Sequence, residues 1–389
     1  MSFEKPLHAA LASPRGRVLS FGPGRCHVLF ANRQRPLLMP AGTYRFQEQC
    51  IPFFIGGRLK ALYARAMLKM NALVPGAGLL PEFRLPRGKG GLLPCDLPIP
   101  QPAQSAIQIG TPGPYQKASM LLMSRRGEGL ALAKIAMVPS ADRLVTLEAR
   151  WLRKLEGMRA LAGQVPKLLT LGRAFNGRSY LVTTLAPSTR TTNSFTSAHI
   201  KFLETLGRSR LDTMCFKTSP CLDYLERTFA YLQPCLAPEA MEELQAALHD
   251  CRASLGDWSG PFVIAQGDFA PWNIRVHRQR VFVFDWEYAR AGANPLADVL
   301  NYFLIQKAVS GRGIPGRVLV RVMHRAHEVA EQVYPEWTWR PREVSALTLA
   351  YLLEIILHYS QSVAQLDLQH PVIESYWRLV EQRWEWMAP

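Results

Sequence analysis

Apolar and polar positions fall in blocks along this chain, and the period changes from block to block. Over residues 57–73, Leu59, Leu62, Tyr63, Ala66, Met67, Met70 and Leu73 recur every three or four positions, while Arg58, Arg65 and Lys69 lie off that stripe. This spacing predicts an amphipathic helix. Its stripe has two readings: packing on the helix's own domain, the commoner outcome, or contact with an anionic membrane surface. Residues 74–102 are dense in Pro and Gly and predict a linker or irregular connection. Order returns at Ile107. Residues 119–123 and 130–136 read as strands around a turn at 125–129. A helix follows over about 140–156, with Ser140 as N-cap and Asp142 in its first turn. Two further strands, near 167–171 and 179–184, flank the turn Asn176-Gly177. Beyond a polar stretch at 183–192 the pattern is helical, broken by one strand–loop–hairpin segment at 261–285.

Composition adds bounds to that picture. With 389 residues, 48% of them hydrophobic, the chain can bury two ordinary cores, so two or three domains are expected. The seven cysteines form no CxxC pair, which argues against a zinc ribbon or a disulfide framework and for a reducing compartment. No apolar run is long enough to span a bilayer, and the first residues lack the basic-then-apolar order of a secretory signal. A cytoplasmic location, or one peripheral to the inner membrane surface, is the expectation.

The net charge of +16 is unevenly spread. Residues 1–100 hold 14 Lys and Arg against 4 Asp and Glu, so most of the excess lies in the first quarter. An anionic membrane surface or glycan is the partner expected for this region, with a solvated basic surface as the alternative. Nucleic acid is not an expected partner.

The chemistry is concentrated in residues 262–289, FVIAQGDFAPWNIRVHRQRVFVFDWEYA. Phe262 to Ala265 reads as a short apolar strand delivering a loop that contains Asp268 and Asn273. Two strands around Arg278-Gln279-Arg280 then fold Asp285 back beside Asn273. Two carboxylates and an amide oxygen therefore meet at one end of a short sheet. Phosphoryl transfer needs such a set. Magnesium takes hard oxygen ligands, usually one or two carboxylates besides phosphate oxygens. A further carboxylate orients the attacking hydroxyl and accepts its proton.

At these residues the chain resembles the aminoglycoside phosphotransferase and choline kinase group, whose pattern is HGDxxxxN followed by DWE or DFE. Here the residues are Gln266-Gly267-Asp268, Asn273 and Asp285-Trp286-Glu287. The resemblance implies Asp268 as catalytic base and Asn273 and Asp285 as metal ligands, with Asp298 tying down the loop. Gln266 departs from the family's His. A glutamine also donates and accepts hydrogen bonds, so it can organise the loop. The wording of the segment is closest to members associated with bacterial surface-polysaccharide loci.

The front half supplies candidates for a nucleotide site. Gly110 and Gly113 precede the strand at 119–123, where a phosphate-covering loop would lie. Lys134 sits in an apolar strand, where burial is costly without a partner, and Glu148 follows 14 residues later in the next helix. In the resemblance these two form the ion pair that holds the α- and β-phosphates of ATP. Thr184 and Leu185 fall at the hinge, where backbone groups would meet the purine.

The expected fold is α+β, a two-lobed protein-kinase-like architecture with a small β-rich N-lobe at 103–185 and a larger helical C-lobe at 186–389. A basic extension, 1–102, carries the amphipathic helix and the linker. The expected function is Mg2+- and ATP-dependent transfer of a phosphoryl group to a hydroxyl of a small molecule, with a sugar or glycan as the acceptor. An inactive, nucleotide-binding scaffold or regulator is the alternative.

Overall fold

The computed structural model describes residues 25–30, 35–40, 44–55, 58–73, 80, 82–84, 93, 97–100, 104–174, 177–188, 190–363 and 365–387. Most of the linker predicted at 74–102, and Asn176 of the predicted turn, lie outside them. The chain divides into two compact units, one comprising Met1–Gly157, Ala162–Thr191 and Arg275–His277, the other Met158–Leu161, Thr192–Ile274 and Arg278–Pro389.

The first unit is built on an eight-stranded antiparallel sheet. Its strands are β1 (Arg25–Phe30), β2 (Pro36–Pro40), β3 (Glu82–Arg84), β4 (Gln104–Ile109), β5 (Lys117–Met123), β6 (Gly129–Ala136), β7 (Leu168–Arg173) and β8 (Ser179–Thr183), in the order β3-β1-β2-β4-β5-β6-β8-β7. Side chains alternate across it as the pleat requires. Ala118, Met120, Leu122, Ala131, Ala133 and Ile135 point into one core. Leu37, Met39, Ala106, Leu121 and Met123 point the other way, under the helices α1 (Tyr44–Phe54) and α2 (Arg58–Leu73). Further along, α3 (Pro139–Glu156) packs Ala141, Val145 and Ala149 against Ala136 and Leu181.

The structure differs from the expected organisation at residue 102. Strand β2 pairs with β4 through Leu37–Gln108 and Leu38–Ile107, so β1, β2 and β3 extend the sheet of the β-rich unit rather than belonging to a separate extension. The reason the pattern hid them is physical. All five residues of β2, Pro-Leu-Leu-Met-Pro, are buried, and a strand covered on both faces shows no alternation. The start of α3 also differs. Val138 is extended and Pro139 takes the first helical position, which its fixed φ suits. Ser140 is not the cap; its hydroxyl donates to the Pro114 carbonyl.

The second unit is mainly helical, with α4 (Ser197–Ser209), α5 (Pro220–Leu232), α6 (Pro238–Leu255), α7 (Ala297–Ala308), α8 (Gly316–Val333), α9 (Pro341–Val363) and α10 (Pro371–Glu381). Its strands are β9 (Asp212–Cys215), β10 (Ser259–Ala265), β12 (Arg280–Val283) and β13 (Arg290–Ala293), while β11 (Ile274–His277) starts in it and has its other three residues assigned to the first. Strands β11 and β12 form a hairpin, and β10 lies between β13 and β9 in a three-stranded sheet. Neither β9 nor β13 was legible from pattern, since each spans only four residues without clean alternation. They flank β10 and so fix the strand that carries the site. A strand-rich unit and a helical unit together make the α+β, two-lobed class.

Candidate active site

Strand β10 is buried from Gly260 to Ala265 and feeds directly into Gln266-Gly267-Asp268. The loop is tied down by one carboxylate. Asp298, near the start of α7, accepts the N–H of Gln266 on one oxygen (2.8 Å) and that of Gly267 on the other (3.0 Å). Gly267 is required twice over: its φ is +83°, and a Cβ there would sit 2.4 Å from the Tyr288 carbonyl oxygen.

Gln266 does the work expected of an organiser. Its Nε2 donates to the carbonyls of Phe284 (3.2 Å) and Asp285, and its Oε1 accepts the Asp268 N–H at 2.8 Å. One side chain thus joins the Asp268 loop to the segment bearing Asp285. A second link comes from the Phe284 N–H, which donates to the Asn273 carbonyl at 3.1 Å. Arg278 and Gln279 turn the β11–β12 hairpin with φ of 44° and 62°, the left-handed pair that a two-residue hairpin demands. Asp285 itself has φ of 68°. A non-glycine residue held there is strained, and such strain clusters at functional sites. The neighbouring Trp286 is fully buried, with its indole N–H on the Val283 carbonyl at 2.9 Å.

Asp268 is surrounded by donors. Asn273 Nδ2 reaches its Oδ2 at 2.7 Å and its carbonyl at 3.0 Å. Asn301, on α7, reaches Oδ1 with its own Nδ2 at 3.5 Å. The Asn301 Oδ1 accepts the Tyr351 hydroxyl at 3.0 Å, and Tyr376 adjoins Tyr351 at 3.0 Å. This chain has a forced direction. An amide oxygen facing a carboxylate would repel it, so Asn301 must present its NH2 to Asp268, and the phenol must donate from behind. Burial, and then the negative charge of Asp285, push the Asp268 carboxyl up to about 7, against the donors Asn273, Asn301 and Trp272. A base with a pKa near the working pH is the useful kind.

The donor set fits a divalent cation. Asn273 spends its NH2 on Asp268, which leaves its amide oxygen as an acceptor, and Asp285 adds a carboxylate. Both are hard oxygen donors of the kind magnesium takes.

In the first unit the structure brings together the other expected pair. Lys134 on β6 donates to both oxygens of Glu148 on α3 at 2.7 Å. Both residues are buried. A buried ion pair repays its desolvation poorly, so stability is a weak reason to keep one. The turn between β4 and β5 is closed by the Gly110 N–H on the Lys117 carbonyl (2.8 Å) and by the Gln116 N–H on the Gly113 carbonyl (3.2 Å). At the expected hinge, the Thr184 N–H already donates to the Lys167 carbonyl (3.0 Å), so that amide is committed within the unit. Leu185 packs partly buried against the core under α1 and α2.

Sequence reasoning placed Asp268, Asn273, Asp285, Lys134 and Glu148 and missed Asn301, Tyr351 and Tyr376. A signal for Asn301 existed. It lies three residues after Asp298 on one helix, so both face the same loop. The tyrosines come from α9 and α10, far along the chain, and carried no such signal.

Residues 126–339 match the profile of the phosphotransferase enzyme family, more than half of the chain. The chain belongs to that family. Among solved structures it is similar to a thermostable mutant of aminoglycoside phosphotransferase APH(4)-Ia in its apo form. The TM-score is 0.50 and the identity 15%, over 71% of this chain and 93% of that one. A ternary complex of the same enzyme with ADP and hygromycin B gives a TM-score of 0.50 at 14% identity, covering 73% and 94%. An ethanolamine kinase of Plasmodium vivax has 11% identity and a TM-score of 0.48, over 88% of this chain and 94% of that one. No curated protein matches significantly. The two likenesses to the aminoglycoside phosphotransferase agree with the kinase-like fold of this phosphotransferase.

Proposed function

We propose that this protein transfers the γ-phosphoryl group of ATP to a hydroxyl of a small molecule, with Asp268 as the base. The observation that carries the reading is Asp268 itself, a carboxyl held by Asn273 and Asn301 and pushed up to about 7 by burial and by Asp285. Asp268 orients the acceptor hydroxyl and takes its proton as the oxygen attacks phosphorus. Asn273 and Asp285 would hold the Mg2+ that neutralises charge on the phosphates. Lys134, fixed by Glu148, pairs with the α- and β-phosphates, and the Gly110–Gly113 turn covers them. At the hinge, Leu185 and the carbonyl of Thr184 are left to meet the purine, since the Thr184 N–H is spent.

For the acceptor we infer a sugar or glycan. Tyr359 lies close enough to Asp268 that the carboxylate's charge, after burial, raises its phenol above the ordinary range. Tyr359 meets His370 in a tilted ring contact with centroids 5.0 Å apart, and both are partly exposed. A partly exposed aromatic ring near a base suits the apolar face of a sugar ring. The rival reading is an inactive scaffold, for which Gln266 in place of the family's histidine would speak. The bonds Gln266 makes as a loop organiser support the active reading.

The test is a thermal titration with ATP, with and without magnesium, on wild type, Asp285→Asn and Asp268→Asn. Saturation at a hundred times Kd adds roughly 2.7 kcal/mol. A magnesium-dependent shift should appear in wild type and persist in Asp268→Asn, and Asp285→Asn should lose it. Asp268→Asn should also abolish transfer in a screen of sugar acceptors. Absence of any nucleotide shift in wild type would sink the reading.

A further inference from the structure

Helix α2 has its apolar stripe on the outside. Among its described side chains, only Ala64 and Leu68 are fully buried in the core beneath it, with Ala61 and Met67 partly buried against the same core. Leu59 is 82% exposed, Leu62 51%, Tyr63 65%, Met70 51% and Leu73 70%. At helical spacing these five, with exposed Ala66 among them, form one continuous strip opposite the buried pair. Scattered exposed apolar residues need no explanation, but a contiguous strip of large ones does.

The charges around the strip say what it meets. Between Arg58 and Leu73 the chain carries four bases, Arg58, Lys60, Arg65 and Lys69, and no acid. Lys60 and Lys69 are exposed and fall on opposite borders of the strip at helical spacing. Arg65 is engaged by Glu48 at 3.6 Å. An apolar strip bordered by lysines matches a surface with anionic headgroups above acyl chains. A second copy of this chain matches less well, because packing two such helices together would oppose like charges.

We propose that α2 docks the protein on an anionic lipid surface, with Leu59, Leu62, Tyr63, Met70 and Leu73 entering the headgroup–acyl boundary and Lys60 and Lys69 paired with lipid phosphates. This is peripheral attachment; among the described residues no helix is long and apolar enough to cross a membrane. The proposal goes beyond phosphotransfer and stands independently of it.

The experiment is flotation of the full-length protein with vesicles of phosphatidylcholine alone, or of phosphatidylcholine and phosphatidylglycerol in equal parts. Wild type should float with the mixed vesicles and release at high salt. The triple variant Leu59→Ser, Leu62→Ser, Met70→Ser should partition roughly a hundredfold less. Lys60→Gln with Lys69→Gln should lose roughly thirtyfold and most of the salt dependence. All five positions are exposed, so melting temperatures should match wild type, and the ATP-dependent shift should be unchanged in every variant. Three results would overturn the proposal. Wild type could ignore the mixed vesicles, it could bind both vesicle types equally, or the triple-serine variant could float like wild type. A stable dimer in solution that the triple variant splits, with no vesicle binding, would make the strip a seam between two copies and overturn it as well.

Discussion

Helices α2 and α3 have similar lengths and each carries an apolar stripe, and the fold treats them in opposite ways. Helix α3 buries Ala141, Leu144, Val145, Ala149, Leu152 and Leu155, and Glu148 among them. Helix α2 fully buries only Ala64 and Leu68 among its described side chains and leaves Leu59, Leu62, Tyr63, Met70 and Leu73 in solvent. A stripe therefore shows that a helix is amphipathic, not which surface covers it. The difference follows from what each helix is for in this fold. Helix α3 holds Glu148 against Lys134, and a precise ion pair needs a helix that cannot shift.

The largest effect expected from breaking this comparison is at Glu148. Glu148→Ala takes from the buried Lys134 ammonium both of its hydrogen bonds to the α3 carboxylate, which should cost about 3–5 kcal/mol in urea unfolding. Replacing both partners, as Lys134→Met with Glu148→Leu, should restore most of that stability while nucleotide binding stays lost. If the double variant binds ATP normally, the pair has no part in the nucleotide site. Next comes Leu152→Ala, which opens a cavity under α3 and should cost about 2–5 kcal/mol.

A third helix sharpens the comparison, because α4 places a titratable group on its buried face. His199 is fully buried, and burial lowers its pKa to about 4 from an ordinary 6.5, against a backbone hydrogen bond at Thr196. Above about 6.5 the ring is neutral in both folded and unfolded chains and costs nothing. Below that the unfolded chain takes up a proton that the folded protein refuses until about pH 4. Stability should therefore fall between pH 6.5 and 4 and level off beneath, by about 3 kcal/mol from this residue. Melting curves of wild type and His199→Asn across this range should converge as pH falls. The smallest effect is on α2, where Leu59→Ser or Leu73→Ser should change stability by less than about 0.5 kcal/mol. A loss of 2 kcal/mol or more there would mean that the strip is covered in the folded chain.

The candidate site was legible to a large degree because its chemistry is local. Asp268, Asn273 and Asp285 lie within one loop and one hairpin, so the required convergence appears as spacing along the chain. Gln266 was legible too, since an amide can replace an imidazole wherever one donor and one acceptor are needed, and the structure gives it both bonds. Asn301, Tyr351 and Tyr376 were not legible in this way. Their contact with Asp268 depends on α7, α9 and α10 packing together, and nothing in their own spacing encodes that.

The amino-acid sequence by itself determined the strand–turn–strand blocks at 119–136 and 167–184, the loop chemistry of 262–287, and the strand lysine and helix glutamate. Each of these is set by local periodicity or by residues near one another in the chain. Tertiary structure alone decided that β1, β2 and β3 join the same sheet, that the Thr184 N–H is spent, that a chain of phenols backs Asp268, and that the α2 strip faces outward. Each of those turns on what lies against a side chain or a backbone group, and that partner comes from a distant part of the chain or from solvent.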